Sequence, residues 1–488
     1  MSYNRAGWVR QLGLVIDAAF MAAALLGTVA LAVLALRAAL RIETRWDAFA
    51  YHIPIAAKRG GVGVPFEMSD SIRHLYEGIP PLPEFFMGVL WRITGSINAT
   101  GMINILALAL FLFHCHRVLK ASAPVVAILA LTVPLVVIHA ATNYVDLFGN
   151  CLLSVGATSL AAMMLFDRWR DRTLLYWGLA GLVAAAWTKM IVLPSALACL
   201  LCYLIVYGRH FRDRGFRPFM ALVAGALLLA LVPCAKNTVL YGNPLWPLRI
   251  NDRLPYSYDP RPVHNLETPP TLLELSQPAL FVHSVLEIGH PTEYAGRERW
   301  NIDQGNAWIA FRSGGFWYAG VITAATAAIL LAFLFERRKG WMLLAMLCVM
   351  WGFVSVLPQS HELRYFMFLP LTTAAVIGML LPRIRRAWPE ATLLVLTVLL
   401  GEFSWMTSVN LHYYRVERVD YRAAADFWGI SAIWPKLQPG QTYCAVGYQP
   451  VAFFLTGPTM KEFHIIDRPD SASCPSGVAV LRNSNPRQ

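Results

Sequence analysis

The chain has 488 residues, of which 57% are hydrophobic and only 14% charged, with a mean hydropathy of +0.49. Globular domains carry about a quarter charged residues, so this composition excludes an ordinary soluble domain and points to a polytopic membrane protein. The formal net charge of +12 would suggest nucleic acid in a soluble chain. Here most Lys and Arg cluster in short loops between apolar runs, so the basicity reports topology and no nucleic-acid partner is expected.

Arg5 and Arg10 precede an apolar run at 12–40 that is too long and too even for a cleavable signal. It is read as a retained first helix with its N-terminus in the cytoplasm. A span needs about 20 apolar residues. The runs that qualify are 13–40, 97–118, 122–141, 147–166, 173–189, 191–208, 217–239, 316–335, 340–357, 364–381 and 390–409, eleven in all. Segment 83–95 (LPEFFMGVLWRIT) is shorter and holds Glu84 and Arg92, so it is expected to lie at the interface.

With the N-terminus inside, alternate loops should be basic, and those at 117–120, 168–172, 209–217, 337–339 and 383–386 are. The opposite face then receives the first loop (41–96), a long loop rich in Pro and aromatics (240–315) and the tail (410–488). A helix interrupted by Pro278 is expected at 271–288. The expected architecture is an all-α membrane domain over 1–409 with extracytoplasmic juxtamembrane helices. A small α/β lobe over 410–488 follows, where strand-like runs (TYCAVGY, GVAVLR) alternate with Pro and Gly.

Six of the eight cysteines lie in or at apolar segments, including the Cys199–Cys202 CxxC, and there act as small hydrophobes. Cys444 and Cys474 stand in the polar tail, where an extracytoplasmic location would permit a disulfide.

The first loop concentrates chemistry. Residues 46–84 hold Asp47, His52, Lys58, Arg59, Glu67, Asp70, Arg73, His74, Glu77 and Glu84, interleaved with Trp46, Phe49, Tyr51 and Tyr76. Asp47, Asp146, Lys189, His361 and Arg364 all fall at the outward ends of spans, at one depth. Ionisable groups at membrane depth are costly and default to functional hypotheses. A carboxylate there can act as general base on a hydroxyl, and Lys and Arg can hold a phosphate. The set suits group transfer from a lipid-linked phosphate to a hydroxyl. Singly, each has an ordinary reading: Asp47 as a solvated loop acid, Asp146 as a helix cap, Lys189 snorkelling to the interface, His361 and Arg364 as anchors. Trp246, Trp300, Trp308 and Trp317 read most simply as an aromatic belt.

Several motifs resemble those of GT-C-fold glycosyltransferases, the group of the protein O-mannosyltransferases and the lipid A aminoarabinose transferase. They are Asp47 after the first helix, Tyr51 with His52-Ile53-Pro54, and Glu77 ahead of Pro80-Pro81-Leu82. Further along come Asp146, Thr188-Lys189, YGNPLWP at 241–247 and HELRYFMFLP at 361–370, which carries Tyr365. The chain departs from the pattern where Ala48 follows Asp47 and where Gly78-Ile79 separates Glu77 from the prolines.

The resemblance implies a bacterial inner-membrane, multi-pass transferase with a periplasmic C-terminus. It would move a sugar from a polyprenyl-monophosphate donor to a glycan, lipid or protein hydroxyl, with inversion. By position, Asp47 would be the base, Lys189 and Arg364 would bind the donor phosphate with His361 and Glu77 supporting, and Asp146 would orient the site. No cofactor is required; some relatives use a divalent metal, which nothing in this sequence indicates. Two other readings stay open. One is a polymerase or ligase acting on a diphosphate-linked glycan through His264, His283, His290, Arg297 and Arg299 of the long loop. The other is a lipid-linked sugar flippase or transporter, although no inverted repeat is visible.

Overall fold

The computed structural model describes residues 3–44, 47–64, 66–68, 73, 76–209, 217–246, 275–286, 317–446, 452–457, 459–468 and 470–482. The apolar runs are helical, because lipid offers no partner for a free backbone N–H or C=O. Helix α1 (Tyr3–Leu40) leads into the first loop, where a π-helical turn (Ala48–His52) runs directly into α2 (Ile53–Arg59). Strand β1 (Phe66–Glu67) and helix α3 (Leu82–Thr94) complete the described part of that loop.

A 3-10 turn (Ile97–Met102) enters α4 (Ile103–Arg117). Then come α5 (Ala123–Thr132), α6 (Pro134–Ala140), α7 (Asp146–Phe166), α8 (Arg172–Ala186), α9 (Leu193–Arg209) and α10 (Arg217–Tyr241). Beyond the long loop's single described helix, α11 (Gln277–Leu286), follow α12 (Tyr318–Phe335), α13 (Arg337–Ser355), α14 (Phe368–Ile384) and α15 (Pro389–Val409).

Every expected span contains helix, and the helices differ in length. Among the described residues six helical stretches are long and apolar enough to cross a membrane: Arg10–Leu40, Ile97–Arg117, Asp146–Phe166, Arg217–Tyr241, Leu363–Ile384 and Pro389–Val409. The run at 122–141 breaks into α5 and α6 with a bend of 97° and makes a seventh only if counted as one span. Pro134 explains the break, since its ring cannot sit inside a continuing helix. Helices α8, α9 and α12 are shorter, and α13 opens on Arg337, Arg338 and Lys339. In α11, Pro278 falls in the first turn, where a missing N–H costs nothing, so it starts the helix where an interruption was expected. Residues 247–274 and 287–316, with His264, His290, Arg297, Arg299, Trp300 and Trp308, lie outside the described residues.

Small residues let the helices approach closely. A Cβ on Gly88 of α3 would lie 2.1 Å from the Ala56 carbonyl oxygen of α2, and one on Gly181 of α8 would lie 2.8 Å from the Leu152 carbonyl of α7. The first contact presses the juxtamembrane helices together backbone to backbone.

The tail contributes α16 (Tyr421–Phe427), β2 (Thr442–Val446), β3 (His464–Arg468) and β4 (Ala479–Arg482). The strands form a parallel sheet in the order β1-β3-β2-β4, so one of its two edge strands comes from the first loop, with Phe66 opposite Ile465. Strand β3 (HIIDR) was not among the strand-like runs expected, although Gly457-Pro458 precedes it and Pro469-Asp470 follows it in the sequence. The Cys444 and Cys474 sulfurs are bonded.

First loop and tail share one apolar core. Phe49, Trp91, Tyr421, Trp434, Phe453 and Phe454 pack together, and the Phe49 and Phe454 rings lie 3.9 Å apart. Main-chain bonds from Ile42 to Val419 and from Val419 to Leu40 extend the union to the end of α1. The tail therefore clamps the segment that carries Asp47.

Candidate active site

Asp47 stands at the head of the π-turn, beside the buried Ala48 and Phe49, and keeps 16% of its side chain exposed. Its Oδ2 lies 3.8 Å from Nη1 of Arg364. Arg364 sits in a 3-10 turn (Leu363–Phe366) that leads into α14. Its guanidinium lies 5.7 Å from the Tyr144 ring centre and 5.0 Å from that of Tyr365. Nη2 donates to the Tyr365 hydroxyl at 3.1 Å, and Nε lies 3.6 Å from Oε2 of Glu362.

Lys189, just past α8, donates to Oδ1 of Asp146 at 2.8 Å, and its ammonium lies 4.4 Å from the Tyr365 ring centre. Both cations thus face one tyrosine. The lysine does not merely snorkel: it neutralises a carboxylate with no exposed side-chain surface. Tyr51 joins the group, with Asp47, Tyr365, Asp146 and Arg364 as its charged or polar neighbours. Burial first, and the Asp47 carboxylate second, push its phenol well above the usual range, so it remains a protonated donor.

Two buried amides hold this constellation in register. Asn150 donates to the main-chain carbonyls of Asp146 at 2.8 Å and Arg364 at 3.2 Å, and accepts from the Phe368 N–H at 2.8 Å, joining α7 to α14. Asn104 of α4 donates to the Thr142 carbonyl at 3.0 Å and accepts from the Phe148 N–H at 2.9 Å. That second bond satisfies the start of α7, so Asp146 does not cap its own helix and its carboxylate is left to Lys189. The sequence reading missed Asn104, Asn150, Tyr144 and Glu362. A signal existed for the asparagines, since an amide inside an apolar span must find partners.

His52 turns away from Asp47. Its Nδ1 lies 3.0 Å from Oε1 of the fully buried Glu84, whose Oε2 accepts from Arg59 Nη1 at 3.1 Å. Arg59 also donates to the carbonyls of Tyr76 at 2.7 Å and Ile79 at 3.0 Å. The cluster bolts α2 to α3 and the 76–80 segment. Burial raises the Glu84 carboxyl, but the His52 hydrogen bond and the Arg59 guanidinium outweigh it, so the group lies below its usual range.

A depressed carboxyl contributes stability above its unfolded pKa of about 4.3 and loses it as pH falls through the folded value. Glu84→Gln should therefore cost about 3 kcal/mol at pH 7, the scale for breaking a buried pair, and lose part of the acid limb. Thermal unfolding of both proteins at pH 7 and pH 4 measures this; parallel pH profiles would refute it.

His361 is buried beside α11, with Nδ1 3.4 Å from the Gln277 amide and its carbonyl accepting from Ser284 Oγ at 2.6 Å. Burial pushes its imidazole down to about 4, so at neutral pH it is an uncharged hydrogen-bonding group. Glu77 has other partners: its carboxylate accepts from the Tyr241 hydroxyl at 2.6 Å, and its carbonyl accepts from Lys236. Trp246, assigned to an interface belt, is instead fully buried, stacked on Tyr241 at 4.4 Å and pressed against Gly78. Among the described residues, no three His, Cys, Asp or Glu side chains converge as metal ligands would.

The chain is similar to a solved structure. That structure is the crystal structure of ArnT from Cupriavidus metallidurans in the apo state, at 16% identity and a TM-score of 0.49, over 93% of this chain and 85% of that one. No family model and no curated protein matches the sequence.

Chemically, the arrangement places two part-exposed carboxylates, Asp47 and Glu362, against the Arg364 guanidinium, beside the buried Asp146 held by Lys189. Formally, the three carboxylates Asp47, Asp146 and Glu362 face the two cations Lys189 and Arg364, a balance of minus one. The Asp47–Arg364 contact, at 3.8 Å, is the longest of the three.

Proposed function

We propose that the protein is a GT-C-type membrane glycosyltransferase, acting at the extracytoplasmic face of a bacterial inner membrane. It moves a sugar from a polyprenyl-monophosphate donor to an acceptor hydroxyl with inversion. The observation that carries this reading is the part-exposed Asp47 carboxylate beside Arg364 and the Lys189–Asp146 pair, at the ends of membrane-length helices. A base and phosphate-binding cations stand together at headgroup depth.

A lipid-linked donor also accounts for a cavity of about 420 Å³ between α7, α9, α13 and α14. It is lined by apolar side chains such as Leu160, Ile205, Met346, Phe353 and Phe368, the last only four residues beyond Arg364. A prenyl tail in that cavity would bring its phosphate to the guanidinium.

In the step proposed, Arg364 moves from Asp47 to the donor phosphate as the donor arrives. Asp47, released, takes the proton of the acceptor hydroxyl as its oxygen attacks the anomeric carbon from the face opposite the phosphate. The bond from that carbon to the phosphate oxygen breaks with its electron pair on oxygen. Lys189 and Arg364 stabilise the phosphate released, with Tyr51 and Tyr365 supplying hydroxyl donors. Asp146 holds Lys189 in place.

The test is turnover of the purified protein in nanodiscs with a panel of undecaprenyl-phosphate sugars and, separately, an undecaprenyl-diphosphate glycan. Release of undecaprenyl phosphate from the monophosphate donors is the expected outcome. Turnover of the diphosphate donor alone would replace this reading with a polymerase or ligase, and leaflet exchange without bond cleavage would replace it with a transporter.

A further inference from the structure

A second cavity, of about 330 Å³, lies beside the start of α3, among Arg59, Tyr76, Glu77, Trp187, Lys236 and Leu240. None of its charged groups belongs to the Asp47 constellation. Lys236 sits on α10, near the Tyr241 end of that membrane-length helix, and its ammonium donates to the Glu77 main-chain carbonyl. The Glu77 carboxylate accepts from Tyr241. Among the described residues the ammonium and the Glu77 carboxylate are neighbours that make no direct ion pair, so each keeps hydrogen-bonding capacity toward the cavity.

The rest of the wall is fixed or apolar. Arg59 is committed to Glu84 and to the Tyr76 and Ile79 carbonyls, and Trp187 donates its indole N–H to the Leu229 carbonyl at 2.9 Å. Val232 and Leu240 line the cavity and remain 41% and 55% exposed, on a helix whose outer surface is apolar. The cavity therefore opens toward lipid, at the level where a helix ends and a headgroup begins.

A lysine and a separated carboxylate on one apolar-rimmed cavity complement a ligand that carries both charges and two tails. We propose that this cavity binds a membrane phospholipid whose headgroup ends in a primary ammonium, with its phosphate on Lys236 and its ammonium on Glu77. A quaternary ammonium has no N–H to give the carboxylate, and a glycerol headgroup has no cation, so the site discriminates among common phospholipids. This assignment stands independently of the transfer reaction.

The full-length protein, delipidated and titrated with dioleoyl phosphatidylethanolamine, phosphatidylcholine or phosphatidylglycerol, can be followed by native mass spectrometry. The wild type should retain phosphatidylethanolamine about tenfold over the other two, the scale of a charge-assisted hydrogen bond. Glu77→Gln, which keeps an acceptor for Tyr241, should erase that preference while leaving phosphatidylglycerol binding unchanged. Lys236→Ala should weaken retention of all three lipids about tenfold, and Lys236→Arg should restore it. Equal retention of the three lipids by the wild type overturns the proposal, as does an unchanged preference in Glu77→Gln. Displacement of phosphatidylethanolamine by equimolar undecaprenyl phosphate would overturn it too, by giving the cavity to a prenyl lipid.

Discussion

Asp47→Asn is expected to lower sugar-transfer turnover by about 10²–10⁴-fold, the range that a positioned general base supplies. The substitution preserves shape, so the π-turn and the Phe49 contact that clamps it to the tail should survive. What it removes is a part-exposed carboxylate whose contact with its cation, at 3.8 Å, is longer than that of the part-exposed Glu362 at 3.6 Å or of the fully buried Asp146, held by Lys189 at 2.8 Å. It also removes a competitor for Arg364, so donor binding should hold steady or tighten as kcat falls. Single-turnover release of undecaprenyl phosphate, measured beside donor affinity, separates the two effects. Wild-type turnover in the mutant would eliminate Asp47 as the base; a parallel collapse of donor binding would make it a structural residue.

The second large effect is expected at Lys189. Lys189→Ala leaves the Asp146 carboxylate with no exposed surface and without its partner at 2.8 Å. Breaking a buried pair from one side costs about 3–5 kcal/mol, because an uncompensated charge remains. The neutral double mutant Lys189→Met/Asp146→Asn removes that charge and should recover most of the stability. It should not recover donor binding if Lys189 holds the phosphate. Thermal unfolding and donor affinity across the three proteins form the test. Recovery of both in the double mutant would show that the pair serves only the fold, and an unchanged melting temperature in Lys189→Ala would show that it does not hold the fold either.

Much of this was legible in the linear chain, and the reason is local. The bilayer imposes a length and an apolar composition on each crossing segment, so most helices appear as runs that can be counted. The same solvent makes ionisable groups at span ends expensive. Asp47, Asp146, Lys189 and Arg364 therefore stood out, and they do meet in space. Lys189 and Asp146 are 43 residues apart, and only their shared depth hinted at the contact.

Partner choice was not legible. Nothing local says that Glu84 belongs to His52 and Arg59, that Arg364 is flanked by Glu362, or that Glu77 faces Tyr241 and Lys236. Nor could the sequence show that Asn150 would join α7 to α14, or that the two-residue strand at Phe66 would pair with Ile465, far along in the tail. These are choices among many chemically equivalent donors and acceptors. They are made by which backbones approach, as at the Gly88 contact, and by which apolar faces close over one another, as Phe49 does with Phe454. Composition and spacing alone determined a multi-span membrane chain with ionisable groups gathered at the ends of its helices. The long-range packing of the first loop under the tail decided which of those groups face the same space, because contact geometry, unlike membrane depth, has no local signature.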